Sequence, residues 1–268
     1  MSQLSYLVPH DFTSAADSAT RHAIQIARQT KGIVHLLHVT KSDSEKAEAN
    51  RKFAEVIPKL QLSIGDPKVE THVKTGSIFT DIGTMAKSLG CSLVVMGTHG
   101  AKGMQKVFGS FAIKVITSTE IPFVIVQDST PVDNIKKIVA AIDLTSESLQ
   151  VLNDAANLAL DFNAELVILA PNETDAVLRK KISIYIDVIK KQMEKRNVNH
   201  LIEFIPKSKN ATGILEYGKK AKADMYAIAY FSDSLLPQFD TFAQSMITNE
   251  QKVPCLIINS KEAGNAYF

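Results

Sequence analysis

Short, nearly continuous apolar runs alternate along the chain with longer stretches whose apolar positions recur every three or four residues. The first half reads as strands over 6–8, 33–39, 69–73, 93–96 and 123–126. Between them lie helical patterns that follow Ser14 and span 44–60, 78–89 and 110–118. Ala15, Ala19, Ala23 and Ala27 make a narrow small-residue stripe at i, i+4 spacing, and Ser14-Ala15-Ala16-Asp17 reads as a capping box. The second half repeats the order, with strands over 137–142, 165–169, 200–206, 225–229 and 255–258. Its helices fall at 148–162, 175–196, 213–222 and 241–248. Strands separated by helices require crossovers, so each half is expected to be an α/β fold: a five-stranded, doubly wound parallel sheet with helices on both faces. Such sheets bind ligands beyond the carboxyl ends of their strands, where the strand order reverses.

The two halves are copies. Leu7-Val8-Pro9-His10-Asp11 is echoed by Val139-Ala140-Ala141-Ile142-Asp143, and Ile121-Pro122-Phe123-Val124-Ile125-Val126 by Val253-Pro254-Cys255-Leu256-Ile257-Ile258, both at an offset of 132. Ser110-Phe111-Ala112 matches Thr241-Phe242-Ala243 at 131, so the second copy has lost a residue in between. The expected domains are 1–129 and 133–268, joined by a polar linker over 127–131. A period this long means two globular copies in tandem, not a solenoid.

Composition narrows the function. With 45% hydrophobic residues in 268, the chain can fill two cores, and a net charge of +2 gives no cause to expect a nucleic-acid partner. Arg179-Lys180-Lys181 and the basic positions over 190–195 lie in a helical pattern and read as a solvated face. Cys91 and Cys255 sit beside apolar strands and read as buried core thiols. No run approaches the length of a membrane span and no leader pattern opens the chain, so the expectation is a cytoplasmic protein with no membrane contact.

Candidate chemistry gathers at one place. Val94-Val95-Met96-Gly97-Thr98-His99-Gly100 runs a strand into a glycine loop, and Gly109-Ser110 follows at a helix start. Unpaired N–H groups and the positive end of a helix dipole suit a phosphate there. His10 and His99 read as solvent-facing or hydrogen-bonded loop residues, Lys102 and Lys106 as surface lysines, and Asp11 alone as a helix cap. In the second copy Pro9, Gly97, Gly100 and Gly109 become Ala141, Ala229, Ser232 and Asp240, and a carboxylate at Asp240 would repel phosphate. No catalytic triad, metal-ligand spacing or Walker sequence is present, so enzymatic activity extends at most to slow ATP hydrolysis.

With Asp11 closing the first strand, Val39 ending the second in Leu37-His38-Val39, and Met96-Gly97-Thr98-His99-Gly100 after the fourth, the chain resembles a tandem universal stress protein. The nucleotide-binding branch of that family carries Gly, two residues, Gly, nine residues, then Gly with Ser or Thr. Here the intervals are two and eight, one residue short. The resemblance implies an adenine-nucleotide-responsive stress protein that binds ATP, with Mg2+ as its companion ion. It would place Pro9 and Asp11 against adenine and ribose, Val39 at the base edge, Met96 and Gly97 along the ribose side, and Gly100, Gly109 and Ser110 at the phosphates. It further implies that the two copies pair through their last strands as an intramolecular pseudo-dimer, with a homodimer of whole chains also open. A structural stress protein with an empty pocket and a slow ATPase remain the alternatives.

Overall fold

The computed structural model describes residues 3–98, 115–128, 130–142, 146–206, 211–230 and 241–259. The chain divides into two compact units between Asn134 and Ile135. In the first unit the elements are β1 (Ser5–Pro9), α1 (Ser14–Thr30), β2 (Ile33–Thr40), α2 (Lys46–Lys59), β3 (Val69–Thr75), α3 (Ile78–Ser88), β4 (Leu93–Thr98) and β5 (Phe123–Gln127). Its strands pair in the order β3-β2-β1-β4-β5, all parallel. The order reverses between β1 and β4, which pair only at Tyr6–Leu93 and Leu7–Val94.

The second unit contains β6 (Lys137–Ala141), α4 (Ser146–Phe162), β7 (Glu165–Asn172), α5 (Ala176–Lys195), β8 (His200–Pro206), α6 (Ala211–Ala221), β9 (Met225–Tyr230), α7 (Thr241–Ile247) and β10 (Cys255–Asn259). Its order, β10-β9-β6-β7-β8, is the same winding, again all parallel. The repeat holds residue by residue. Pro9 pairs with Leu37 and Ala141 with Leu169; Gly97 pairs with Val126 and Ala229 with Ile258. Each partner keeps the offset of 132 seen in the sequence.

The alanine stripe of α1 does what its spacing promised: Ala15, Ala19, Ala23 and Ala27 are all buried. Side chains that small let the helix backbone come close to the sheet. The stripe ends at Lys31, which takes a left-handed φ of 58° and returns its N–H to the Ala27 carbonyl. The strands add Leu7, Val8, Leu36, Leu37 and Val94, each at 1% exposure or less, and the helices add Ile24, Phe53 and Ile82.

Several boundaries differ from the sequence reading for physical reasons. Thr13, not Ser14, caps α1: its hydroxyl accepts from the Ala16 N–H at 3.4 Å, while the Ser14 hydroxyl donates to Asp128 Oδ2 at 2.7 Å. The expected linker over 127–131 is partly structure. Gln127 is the last residue of β5, and buried Thr130 accepts from the Gln127 N–H at 3.1 Å and donates to its carbonyl at 2.7 Å. The pattern over 44–60 breaks into a 3-10 turn at Asp43–Glu45 followed by α2. Asp175 is the cap of α5 and not its first turn, accepting from the N–H groups of Val177 and Leu178 at 2.9 Å each. Both cysteines are buried and unpaired, and burial pushes the Cys91 thiol up to about 12. No described helix is long and apolar enough to cross a membrane.

Candidate functional site

The site is built where β1 and β4 part. Past Pro9, the His10 N–H still donates to the Leu37 carbonyl at 2.8 Å, and there the pairing of β1 with β2 stops. The chain then turns sharply. Asp11 is exposed, and its Oδ1 accepts from both the N–H (3.1 Å) and the hydroxyl (2.6 Å) of Thr13. This Asx turn positions the cap residue and leaves the second carboxylate oxygen without a hydrogen bond among the described residues. Phe12, between them, takes a left-handed φ of 66°, a conformation rare for so bulky a residue.

That turn aims the Phe12 ring at a cluster the sequence did not reveal. Its centroid lies 4.6 Å from His38 and 5.0 Å from Phe53, with Lys52 Nζ 5.4 Å above it. His10, only 2% exposed, packs edge-on to Phe53 at 5.7 Å. Its Nδ1 accepts from the Phe12 N–H at 3.1 Å, and its carbonyl accepts from His38 Nδ1 at 2.7 Å. His10 is therefore hydrogen-bonded, as one of the two sequence readings had it, but buried and not solvent-facing. Its Nε2 sits 3.3 Å from Asp17 Oδ1 yet off the hydrogen-bond line. Burial lowers the His10 pKa against the opposing pull of Asp17 and Asp11.

Val39 offers the most specific feature. The Leu37 carbonyl faces β1, since His10 donates to it, and the Thr40 carbonyl faces β3, accepting from the Gly76 N–H at 3.0 Å. Backbone groups alternate sides along a strand, so Val39 turns its N–H and C=O toward β1, beyond the point where β1 has ended. No described hydrogen bond meets that edge. In the second unit the equivalent register position, opposite Ile205, is Pro171, which has no N–H to offer. The sequence carried this signal in Leu169-Ala170-Pro171, but only the register makes it legible.

Of the residues singled out by sequence, Pro9, Met96 and Gly97 are half-buried at the ends of β1 and β4, on either side of the parting. Gly97 has a reason of its own to be glycine. A Cβ there would lie 2.0 Å from the Ala15 carbonyl oxygen and 2.4 Å from its carbon, so it would strike α1 before any ligand. Gly100, Gly109 and Ser110 lie outside the described residues, as do His99, Lys102 and Lys106 and, in the second copy, Asp143, Ser232 and Asp240.

A doubly wound α/β unit with exposed polar groups at its switch point belongs to a class of folds that bind small ligands there. The model of the universal stress protein family matches residues 6–127. Universal stress protein G from Shigella flexneri is 30% identical over 127 residues, covering 42% of this chain and 89% of that protein, and its counterpart in Salmonella typhimurium gives the same figures. The chain belongs to the universal stress protein family. A crystal structure of a universal stress protein from Archaeoglobus fulgidus shares the fold over 95% of this chain and 98% of its own, with a TM-score of 0.74 and 16% identity. A functionally unknown protein from Pseudomonas aeruginosa PAO1 does so over 96% and 93%, with a TM-score of 0.61 and 17% identity.

Proposed function

We propose that the first unit binds one adenine nucleotide, ATP or a close relative, that the second unit binds none, and that the chain is a nucleotide-responsive stress protein. The observation that carries this reading is the backbone edge of Val39, which no hydrogen bond among the described residues meets, beside exposed Asp11. A donor and an acceptor on adjacent backbone groups match the N1 and N6 edge of adenine, and a free carboxylate oxygen suits a ribose hydroxyl. Pro9 and Met96 supply apolar flanks, and β4 leads into the glycine loop through which Gly100, Gly109 and Ser110 would reach the phosphates.

The second unit keeps a carboxylate, Asp143, at the Asp11 position but loses the base-edge donor and the phosphate loop around it. Ala141 replaces Pro9, Pro171 removes the donor at the base edge, and Asp240 puts a negative charge in the phosphate position. Thermal unfolding with and without ATP or AMP tests the proposal. A ligand at a hundred times its Kd adds about 2.7 kcal/mol, so a clear rise in Tm is expected. An unchanged Tm at millimolar nucleotide would favour a structural role with an empty pocket.

A further inference from the structure

A second cluster lies well away from the switch point. β2 and β3 pair with His35 opposite Glu70 and Leu37 opposite His72, so Glu70 and His72, two residues apart, share the face on which His35 lies. Their side chains converge. His35 Nδ1 is 3.1 Å from His72 Nε2 and 3.3 Å from Glu70 Oε2, and His72 Nε2 is 4.0 Å from the same carboxylate oxygen. His35 lies about 13 Å before Val39 along the strand, by the usual rise per residue, so this cluster is separate from the nucleotide site.

From this geometry we propose a divalent transition-metal site in the first unit, of the class that takes Zn2+, with His35 Nδ1, His72 Nε2 and Glu70 Oε2 as protein ligands. Zinc bonds of roughly 2.0–2.1 Å set tetrahedral ligand atoms about 3.3–3.4 Å apart. Two of the three separations are already there or slightly inside it, and the third closes with a small rotation of the Glu70 carboxylate. Two imidazoles and one carboxylate form a borderline donor set that prefers Zn2+ over Mg2+ or Ca2+. Lys68 holds the other Glu70 oxygen in an ion pair, which fixes the carboxylate while leaving Oε2 for the ion. His35 is 6% exposed at its side chain, whereas His72 and Glu70 are 25% and 32% exposed, so the group is anchored in the core and open on one side to a metal and a water ligand.

The second unit shows what this position holds without such a site. At the matching register stand Val167 opposite Leu201, and Glu203 opposite Leu169. The second copy has apolar Val167 where the first has His35, so of the two copies only the first carries this histidine. A bound ion would clip the edge strand β3 to β2.

The test uses the full chain, stripped with a chelator and titrated with Zn2+ alone, in competition with a chromophoric chelator. One tight site per chain is expected. His72→Gln and Glu70→Gln, both at half-exposed positions, should each weaken it by at least about tenfold, since losing even an outer partner of a ligand typically costs 10–100-fold. Circular dichroism of each variant should match the parent, and if one variant fails to fold, the other decides. Absence of Zn2+ binding by the parent chain, or equal affinity in a folded variant, would overturn the site. Nucleotide is omitted throughout, so the outcome does not depend on the nucleotide proposal.

Discussion

Gly97 on β4 lies so close beneath Ala15 in the first turn of α1 that a methyl group added to it would sit 2.0 Å from the Ala15 carbonyl oxygen. The strand and the start of the helix are thus packed backbone to backbone. Ser14 Oγ to Asp128 Oδ2 (2.7 Å) and Ser18 Oγ to the Gln127 carbonyl (3.1 Å) tie the same turn to the end of β5. This contact sets where α1 begins, and with it where Asp11 and the Thr13 cap stand at the mouth of the site.

Gly97→Ala should therefore destabilise the protein with no ligand present. Forcing a methyl into a packed backbone contact costs about 1–3 kcal/mol. Urea unfolding without nucleotide measures it. A midpoint equal to that of the parent would mean that the glycine serves only a ligand.

Val39→Pro writes the residue of the second copy, Pro171, into the first. Because the Val39 N–H points past the end of β1, losing it breaks no ladder bond, and the unfolding midpoint should move little. Nucleotide affinity should drop about 10–100-fold, the effect of leaving one base-edge acceptor unpaired. Isothermal titration reads the affinity. A folded variant that binds like the parent would remove the base edge from the account.

His22 and Asp154 occupy matching positions on α1 and α4, and their effects on stability run in opposite directions with pH. Burial lowers His22 from 6.5 to about 4, so the unfolded chain takes up a proton that the native chain refuses. That stability is complete above pH 6.5 and falls by about 3 kcal/mol as the pH drops toward 4. Burial raises Asp154 from 3.8 to about 6, with Arg196 opposing, so the native carboxyl stays protonated where the unfolded one ionises. Its contribution is complete below pH 3.8 and is lost as the pH rises through 6.

Urea unfolding at pH 4 and pH 7 separates the two. His22→Gln should flatten the fall toward acid. Asp154→Asn should stabilise the protein at pH 7, by up to about 3 kcal/mol, and do little at pH 4. A gain from Asp154→Asn that is the same at both pH values would contradict the linkage.

Much of the fold was legible because its signals are local. The apolar runs gave every strand, and the offset of 132 between Asp11 and Asp143 gave the repeat that the strand registers then reproduced. What stayed hidden depends on partners far away in sequence. The resemblance places Val39 at the base edge, but the reason its edge meets no hydrogen bond among the described residues, that β1 stops at Pro9, shows only in the register. The Phe12 cluster depends on one left-handed turn. His35, Glu70 and His72 meet because β2 and β3 pair in one register and no other; a slip of one residue would put Glu70 and His72 on the opposite face. The resemblance places Gly97 on the ribose side of a ligand, but the neighbour that forbids a side chain there is Ala15, 82 positions earlier in the chain.

Calorimetric titration of ATP into the parent chain and into Gly109→Asp, which copies Asp240 of the second unit, tests the central claim most directly. The account predicts one molecule of nucleotide per parent chain and none for the variant, with unchanged circular dichroism. Two equivalent sites in the parent, or undiminished binding in the folded variant, would contradict it.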